Sequence, residues 1–279
     1  MAEWPKKPTK WIDNKKLYVS VPFTWNLPAL KKELLQMDFE YSVAIVGGPA
    51  VKLMPNYFDY VPGVFADIGD MPGVMQRVNP FATKTGVGCP NKCGFCAVPK
   101  TEPEFKELED WPDLPVICDN NLLACSDCHF DKVMDRLEKW EGVDFNQGLD
   151  IRLINEHHIE RIKRLARPKI RFACDSNKEL SNWIRTVEKC IESGIKKTWI
   201  SSYALIGRGE SPESAWVRCN EMDKHCRYVN PQWFHELNQL VYNKVTNRQK
   251  MKGWNKKERD DIMSFFYMKR GKRKYQYNY

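Results

Sequence analysis

Three of the ten cysteines fall within eight residues, Cys89, Cys93 and Cys96, in a CxxxCxxC spacing. Thiolates at such intervals can fold back along one loop onto a soft metal centre. Gly94 would ease a tight backbone path there, and Pro90 would stiffen the approach. A structural zinc site usually takes four protein ligands in two Cys or His pairs, and no fourth ligand at matching spacing stands nearby. The loop is therefore expected to leave one coordination position open. A zinc knuckle, or simple buried thiols, is the competing reading of the same residues. Cys125 and Cys128, followed by His129 and preceded by Cys118, raise the question of a second metal site, but their segment reads as a helix start. Cys174, Cys190, Cys219 and Cys226 sit in strand or helix patterns and are expected to be small buried side chains. His157 and His158 are expected to face solvent, and His235 to lie in a core or at its rim.

The first cysteine loop resembles that of the radical S-adenosylmethionine (SAM) superfamily, whose signature is CxxxCxxC with an aromatic residue just before the last cysteine. Phe95 fills that place. The resemblance implies a [4Fe–4S] cluster on Cys89, Cys93 and Cys96, with the remaining iron binding SAM through its amino and carboxylate groups. One electron then cleaves SAM, and the 5′-deoxyadenosyl radical abstracts a hydrogen atom from a substrate. An electron donor such as a flavodoxin or ferredoxin is implied with it. Chemistry of this kind belongs to the cofactor, while the protein supplies orientation and electrostatics.

The elements that must position these groups follow a βα pattern. Residues 16–23 read as a short strand, 27–37 as a helix and 41–49 as a buried strand ended by glycines, giving a small α/β region over residues 1–80. That region looks like a vestige of the cobalamin-binding domain found before some radical SAM domains. No histidine precedes His129 and the region is short, which argues against cobalamin. From 81 to 240, strand-like runs at 82–86, 114–118, 143–147, 169–174, 197–202 and 227–230 alternate with helices such as those at 130–140, 156–166, 177–191 and 212–223. Six such repeats suit the partial (β/α)6 barrel that the resemblance implies, with chemistry gathered at the carboxyl ends of the strands.

Those strand ends are polar. Asp119, Asn120 and Asn121 follow the second strand and by position look like the superfamily segment that holds the SAM amino group; ordinary Asx turns are the plain alternative. The third strand runs into Gln147, Asp150 and Arg152. An Arg fork suits the methionyl carboxylate, Gln147 or Asp150 could reach the ribose, and a surface salt bridge between Asp150 and Arg152 competes with that reading. Asp175 and Ser176 reach the same rim after the fourth strand. The segment 203–210 is similar to the superfamily's GxIxGxxE adenine-binding segment, with Leu205, Gly207 and Glu210 in register and Tyr203 in place of the first glycine. Ser211 and Pro212 open the next helix.

With 279 residues, of which 42% are hydrophobic, the chain can bury a sizeable core. No apolar run of membrane-spanning length occurs, and the first residues lack a charged region followed by an apolar stretch, so neither export nor a membrane partner is expected. Ten cysteines in such a chain suggest reduced thiols and a cytoplasmic setting. The formal net charge is +8, and residues 244–279 alone hold twelve Lys or Arg against three Asp or Glu. This basic C-terminal extension, 241–279, interleaves aromatic residues with cations, a composition that binds nucleic acid or merely solvates. Modification of a nucleobase is the expected function. A peptide or small metabolite as substrate, and a zinc-dependent nucleic-acid-binding module without catalysis, are the alternatives. No catalytic acid or base is assigned.

Overall fold

The computed structural model describes residues 4, 6–37, 43–69, 71 and 73–276, with side chains described through Met268. The chain divides into two compact units. One comprises Met1–Thr83, Val87–Lys106 and His235–Tyr242, and the other Lys84–Gly86, Glu107–Phe234 and Asn243–Tyr279.

In the first unit, β1 (Thr9–Asp13) and β2 (Lys16–Ser20) form a hairpin. Its turn residues Asn14 and Lys15 both have positive φ, 47° and 59°, the type I′ geometry that matches strand twist. Leu17 and Val19 alternate inward along β2, while Tyr18 stacks on its cross-strand partner Trp11. Helix α1 (Leu27–Gln36) carries Pro28 in its first turn and buries the stripe Leu27, Leu30 and Leu34. Strand β3 (Val43–Gly47) lies parallel to β2, and after α2 (Pro49–Leu53) the short β4 (Val64–Ala66) lies parallel to β3. The inward faces meet with Ala50, Val51, Phe58 and Val61 in one apolar core. Each large aliphatic side chain buried there contributes about 1.5–3 kcal/mol. The expected strand, helix, strand order is thus present, and residues 41 and 42 lie outside the described residues. β1 and β4, which pattern did not signal, widen the sheet on both sides. α3 (Val74–Val78) and β5 (Ala82–Thr83) follow, and then β6 (Gly86–Val87), α4 (Val98–Thr101) and β7 (Lys106–Glu107) bracket the cysteine loop.

The second unit alternates strand and helix: β8 (Val116–Ile117), α5 (Asp127–Leu137), β9 (Asp144–Phe145), α6 (Glu156–Lys163), β10 (Ile170–Ala173), α7 (Asn177–Glu192), β11 (Ile200–Ile206), α8 (Pro212–His225) and β12 (Val229–Trp233). β8 pairs parallel with β9, β10 with β11 and β11 with β12. A parallel bridge from Asp144 to Lys169, with Phe145 N donating to the Lys169 carbonyl, links β9 to β10. The strands therefore lie in sequence order, each reached through a helix, as short parallel connections require. β11 starts three residues later than expected because residues 197–199 form a 3₁₀ turn. One face of β10–β12 is apolar: Ile170, Phe172, Ile200, Ala204, Ile206, Val229 and Trp233 are buried. The other presents half-buried Arg171, Tyr203 and Leu205 with exposed Ala173 and Gln232. A parallel sheet with one partly open face departs from the usual burial of both faces.

After α9 (Asn247–Lys250), α10 (Lys256–Gln276) buries Ile262 and Phe266, and Tyr267 Oη donates to the Pro231 carbonyl of β12. The side chains of the basic run 269–274 lie outside those described. Among the described residues, no helix is long and apolar enough to cross a membrane.

Candidate functional site

The cysteine loop is shaped by backbone before its thiols matter. Gly88 has φ 75°, and a Cβ there would lie 2.1 Å from the Glu104 carbonyl oxygen, so no other residue fits without moving the chain. Its N–H donates to Glu102 Oε2 at 3.0 Å, which returns the far end of the loop to its start. The glycine the loop needs is this one. Gly94, expected to ease the path, faces open space. Cys96 N donates to the Cys93 carbonyl at 3.0 Å in a tight turn, and Val98 N donates to Cys96 Sγ at 3.4 Å. Cys89, Cys93, Phe95 and Cys96 are all half-buried.

The remaining cysteines contrast with these three. Cys118, Cys125, Cys174, Cys190, Cys219 and Cys226 are buried, and only Cys128 is exposed. Burial pushes the thiols of Cys118, Cys125, Cys174 and Cys219 up to about 12 and that of Cys190 to about 11. Such thiols are poor metal ligands and poor nucleophiles, since the thiolate is the active form. Alkylation of the metal-free native chain near pH 8 is expected to label Cys89, Cys93, Cys96 and Cys128 and to spare those five. Comparable labelling of the buried set by peptide mapping would contradict the burial pattern.

The loop offers three half-buried thiols, with the Val98 N–H aimed at the sulfur of Cys96. It is not a preassembled coordination shell: among the described residues, no group of three or more His, Cys, Asp or Glu is disposed to hold a metal ion. Cys125, Cys128 and His129 likewise form no such group.

In the second unit, Asp119 follows β8 and is 4% exposed. It accepts from Thr85 N at 2.7 Å and Thr85 Oγ1 at 2.5 Å. Burial raises its carboxyl to about 6, with the Thr85 hydrogen bonds and nearby Lys84 opposing. The folded chain therefore holds a proton between pH 3.8 and about 6 that the unfolded chain has released. Asp119 contributes stability below that window, and the contribution is lost as pH rises through it, by roughly 3 kcal/mol. In Asp119→Asn, the slope of unfolding free energy against pH across this window should change by about one proton. An unchanged slope in urea titrations would refute the assignment.

Asn121 Nδ2 donates to Asp150 Oδ2 at 3.2 Å. Asp150 also accepts from Arg152 Nε and Nη2, both at 2.7 Å, in a fork. The structure thus joins Asn121, Asp150 and Arg152 in one network and makes the Asp150–Arg152 salt bridge. Asn120 is half-buried, and Gln147 is exposed.

The β11–α8 connection is built more rigidly. Gly207 has φ 82° and rests on the Trp233 ring, where a Cβ would approach to 2.4 Å. Its carbonyl accepts from Gln249 Nε2 at 3.1 Å, and the Glu210 carbonyl from Trp254 Nε1 at 2.7 Å. Leu205 N donates to Asp175 Oδ1 at 3.1 Å, placing Asp175 at the same rim. Ser211 caps α8 by accepting from Ser214 N, as expected. Arg218 on α8 is fully buried and donates to the carbonyls of Cys174 and Leu205 and to Glu210 Oε1 at 2.6 Å. Leu205, Gly207 and Glu210 therefore lie together, and the Glu210 carboxylate is engaged by Arg218.

Sequence reasoning missed Arg218, Gln249, Thr85 and the role of His129. Arg218 lies on the buried stripe Ala215, Cys219 and Met222, and a lone cation on an apolar helix face was the available signal. His158 was expected at the surface but is buried, packing on Phe130 at 4.6 Å, because it shares the face of Ile159 and Ile162. No protein-family model matches this chain, and a comparison with curated proteins finds no match.

Proposed function

We propose that this chain is a radical SAM enzyme whose sequential parallel strands form a partial (β/α) barrel, acting on a nucleobase in DNA, RNA or a nucleotide. The segregation of cysteines carries the reading: three half-buried thiols in CxxxCxxC, with Phe95 before the last, in a chain that buries six of the other seven. Cys89, Cys93 and Cys96 would hold a [4Fe–4S] cluster. When bound, that cluster supplies the electron that cleaves SAM reductively, drawn from a flavodoxin- or ferredoxin-type donor in the cytoplasm. The chain's own residues bind and orient. The Val98 N–H stabilises negative charge on Cys96 Sγ. Half-buried Asn120 offers an oxygen acceptor to an ammonium, backed by Asp119 and Asn121, each 4% exposed, and Arg152 offers a cation to a carboxylate, for which Asp150 competes. Exposed Gln147 suits a ribose hydroxyl. The 205–210 backbone, pinned by Gln249, Trp254 and Arg218, offers a rigid edge to an adenine.

Anaerobic reconstitution followed by iron, sulfide and zinc analysis tests the centre. Incubation with SAM, reductant and pools of DNA, RNA and peptides then tests the reaction, read by mass spectrometry for 5′-deoxyadenosine and altered product. Stoichiometric zinc without iron would replace the enzyme with a zinc-stabilised module, and an altered peptide would replace the substrate class. A base in a duplex is inaccessible to such chemistry, so the substrate is single-stranded or flipped. Removing residues 244–279 would take away buried Gln249, Trp254, Ile262 and Phe266, so charge neutralisation is the cleaner test of the tail. Changing Lys269, Arg270, Lys272, Arg273 and Lys274 to Gln should weaken single-strand binding and flatten its salt dependence by about 0.7 for each phosphate no longer neutralised. Unchanged affinity and slope would remove nucleic acid from the reading.

A further inference from the structure

We infer that Glu107, His129 and Thr85 form a proton path between solvent and the buried Asp119 carboxyl at the end of β8. All four residues belong to the second unit. Asp119 Oδ2 accepts from Thr85 Oγ1 at 2.5 Å, and its Oδ1 is held by Thr85 N at 2.7 Å. His129 Nε2 lies 3.1 Å from the same Thr85 oxygen. Since the Thr85 hydroxyl spends its proton on Asp119, its oxygen receives the proton of His129 Nε2, which orders the chain His129 to Thr85 to Asp119. On the far side of the ring, Nδ1 faces Glu107 Oε2 at 3.8 Å. That gap exceeds hydrogen-bond length, so transfer across it takes a bridging water or a small shift of the Glu107 side chain. The His129 side chain is 6% exposed and that of Glu107 35%, so the chain runs from a wet carboxylate to a dry one.

The surroundings hold this order. Glu107 accepts from Ser126 N and Ser126 Oγ, which fixes its carboxylate at the start of α5. The Trp111 ring covers the imidazole at 5.0 Å. Lys132 and the Thr85 carbonyl also face His129, while Lys84, Gly86 N and the neutral thiols of Cys118 and Cys125 face Asp119. Burial lowers His129 and raises Asp119, which brings the two groups toward a common range.

The transfer balances without electrons moving. A proton from solvent reaches His129 Nδ1 by way of Glu107. The Nε2 proton passes to Thr85 Oγ1 as the threonine's own proton passes to Asp119, and the imidazole is left neutral with its proton on Nδ1. The reverse sequence discharges Asp119. Glu107, His129 and Thr85 thus position and relay, and Asp119 becomes a group that can accept or deliver a proton at the strand end whatever ligand binds there. The relay belongs to the chain without cofactor or substrate and does not depend on the proposed function.

Infrared pH-jump spectroscopy on the full, cofactor-free chain tests it. The Asp119 carboxyl band is identified by its loss in Asp119→Asn, and its rate of appearance is followed after a jump from above to below its midpoint. Thr85→Val and His129→Phe should slow that rise by about tenfold or more at matched final protonation. Glu107→Gln, at the surface and least able to disturb the fold, should slow it in the same direction. Rates equal to wild type in folded Glu107→Gln and Thr85→Val would overturn the path, whereas slowing without a matching change in midpoint is a result that a purely structural role does not produce.

Discussion

Cys93→Ala is expected to fold normally and to form no 5′-deoxyadenosine from SAM and reductant. The normal fold follows from geometry. The Cys93 side chain is half-buried, and the turn it sits in is closed by its backbone carbonyl, which accepts from Cys96 N and survives the substitution. Losing one partly exposed sulfur costs within about 1 kcal/mol, so the unfolding transition should barely move. The chemical effect is large because a cluster held by three thiolates has no spare ligand: Cys118, Cys125, Cys174, Cys190, Cys219 and Cys226 are buried, and the first five have thiols raised to about 11 or 12. Cys128→Ala, which removes the one exposed thiol outside the loop, is the control and should retain iron and product. Iron content and 5′-deoxyadenosine at wild-type levels in Cys93→Ala would remove the loop from the proposed chemistry.

Arg218→Met should destabilise the chain by about 3–5 kcal/mol, the cost of removing one partner from a buried ion pair. Arg218 is 0% exposed, and the side chain of its partner Glu210 16%, so solvent offers little compensation. The guanidinium satisfies the carbonyls of Cys174 after β10 and Leu205 in β11 together with the Glu210 carboxylate, and methionine satisfies none of them. Three acceptors would be left without their donor in a packed region, each with its own desolvation penalty. Burial already pushes Glu210 upward, with Arg218 as the main opposing influence, so the lone carboxyl would hold its proton to higher pH. Glu210→Gln keeps a hydrogen-bond acceptor for Arg218 and should cost less than Arg218→Met. Urea denaturation of both variants checks the order, and an Arg218→Met loss below about 1 kcal/mol would mean that the arginine is not the brace described.

The alternation of strands and helices could be read along the chain because each element states its face locally. The runs at 114–118, 143–147 and 169–174 carry the apolar residues that became β8, β9 and β10, and α5 to α8 repeat apolar residues at 3–4 spacing. The α7 helix was bounded to within a residue. The two-residue extent of β8 and β9 and the late start of β11 were not legible, since strand limits depend on which neighbour supplies hydrogen bonds. Polar strand ends were visible as residue types, but their partners were not. Asp119 and Thr85 are 34 positions apart, Arg218 and Cys174 44, and Gln249 and Gly207 42. No local periodicity encodes such pairs.

By itself the sequence determined the mixed α/β class, the clustering of three thiols on one loop, the concentration of positive charge after Lys244 and the candidate positions at the strand ends, because composition, spacing and short-range periodicity are properties of neighbouring residues. Only the tertiary structure decided that Gly88 rather than Gly94 is the glycine the loop requires, that Arg152 is held by Asp150, that Arg218 braces Glu210, and that His129 belongs to a hydrogen-bonded chain ending at Asp119. Those outcomes depend on which backbone atoms approach within about 3 Å and on which polar groups are shut away from water, and both are set when distant segments pack.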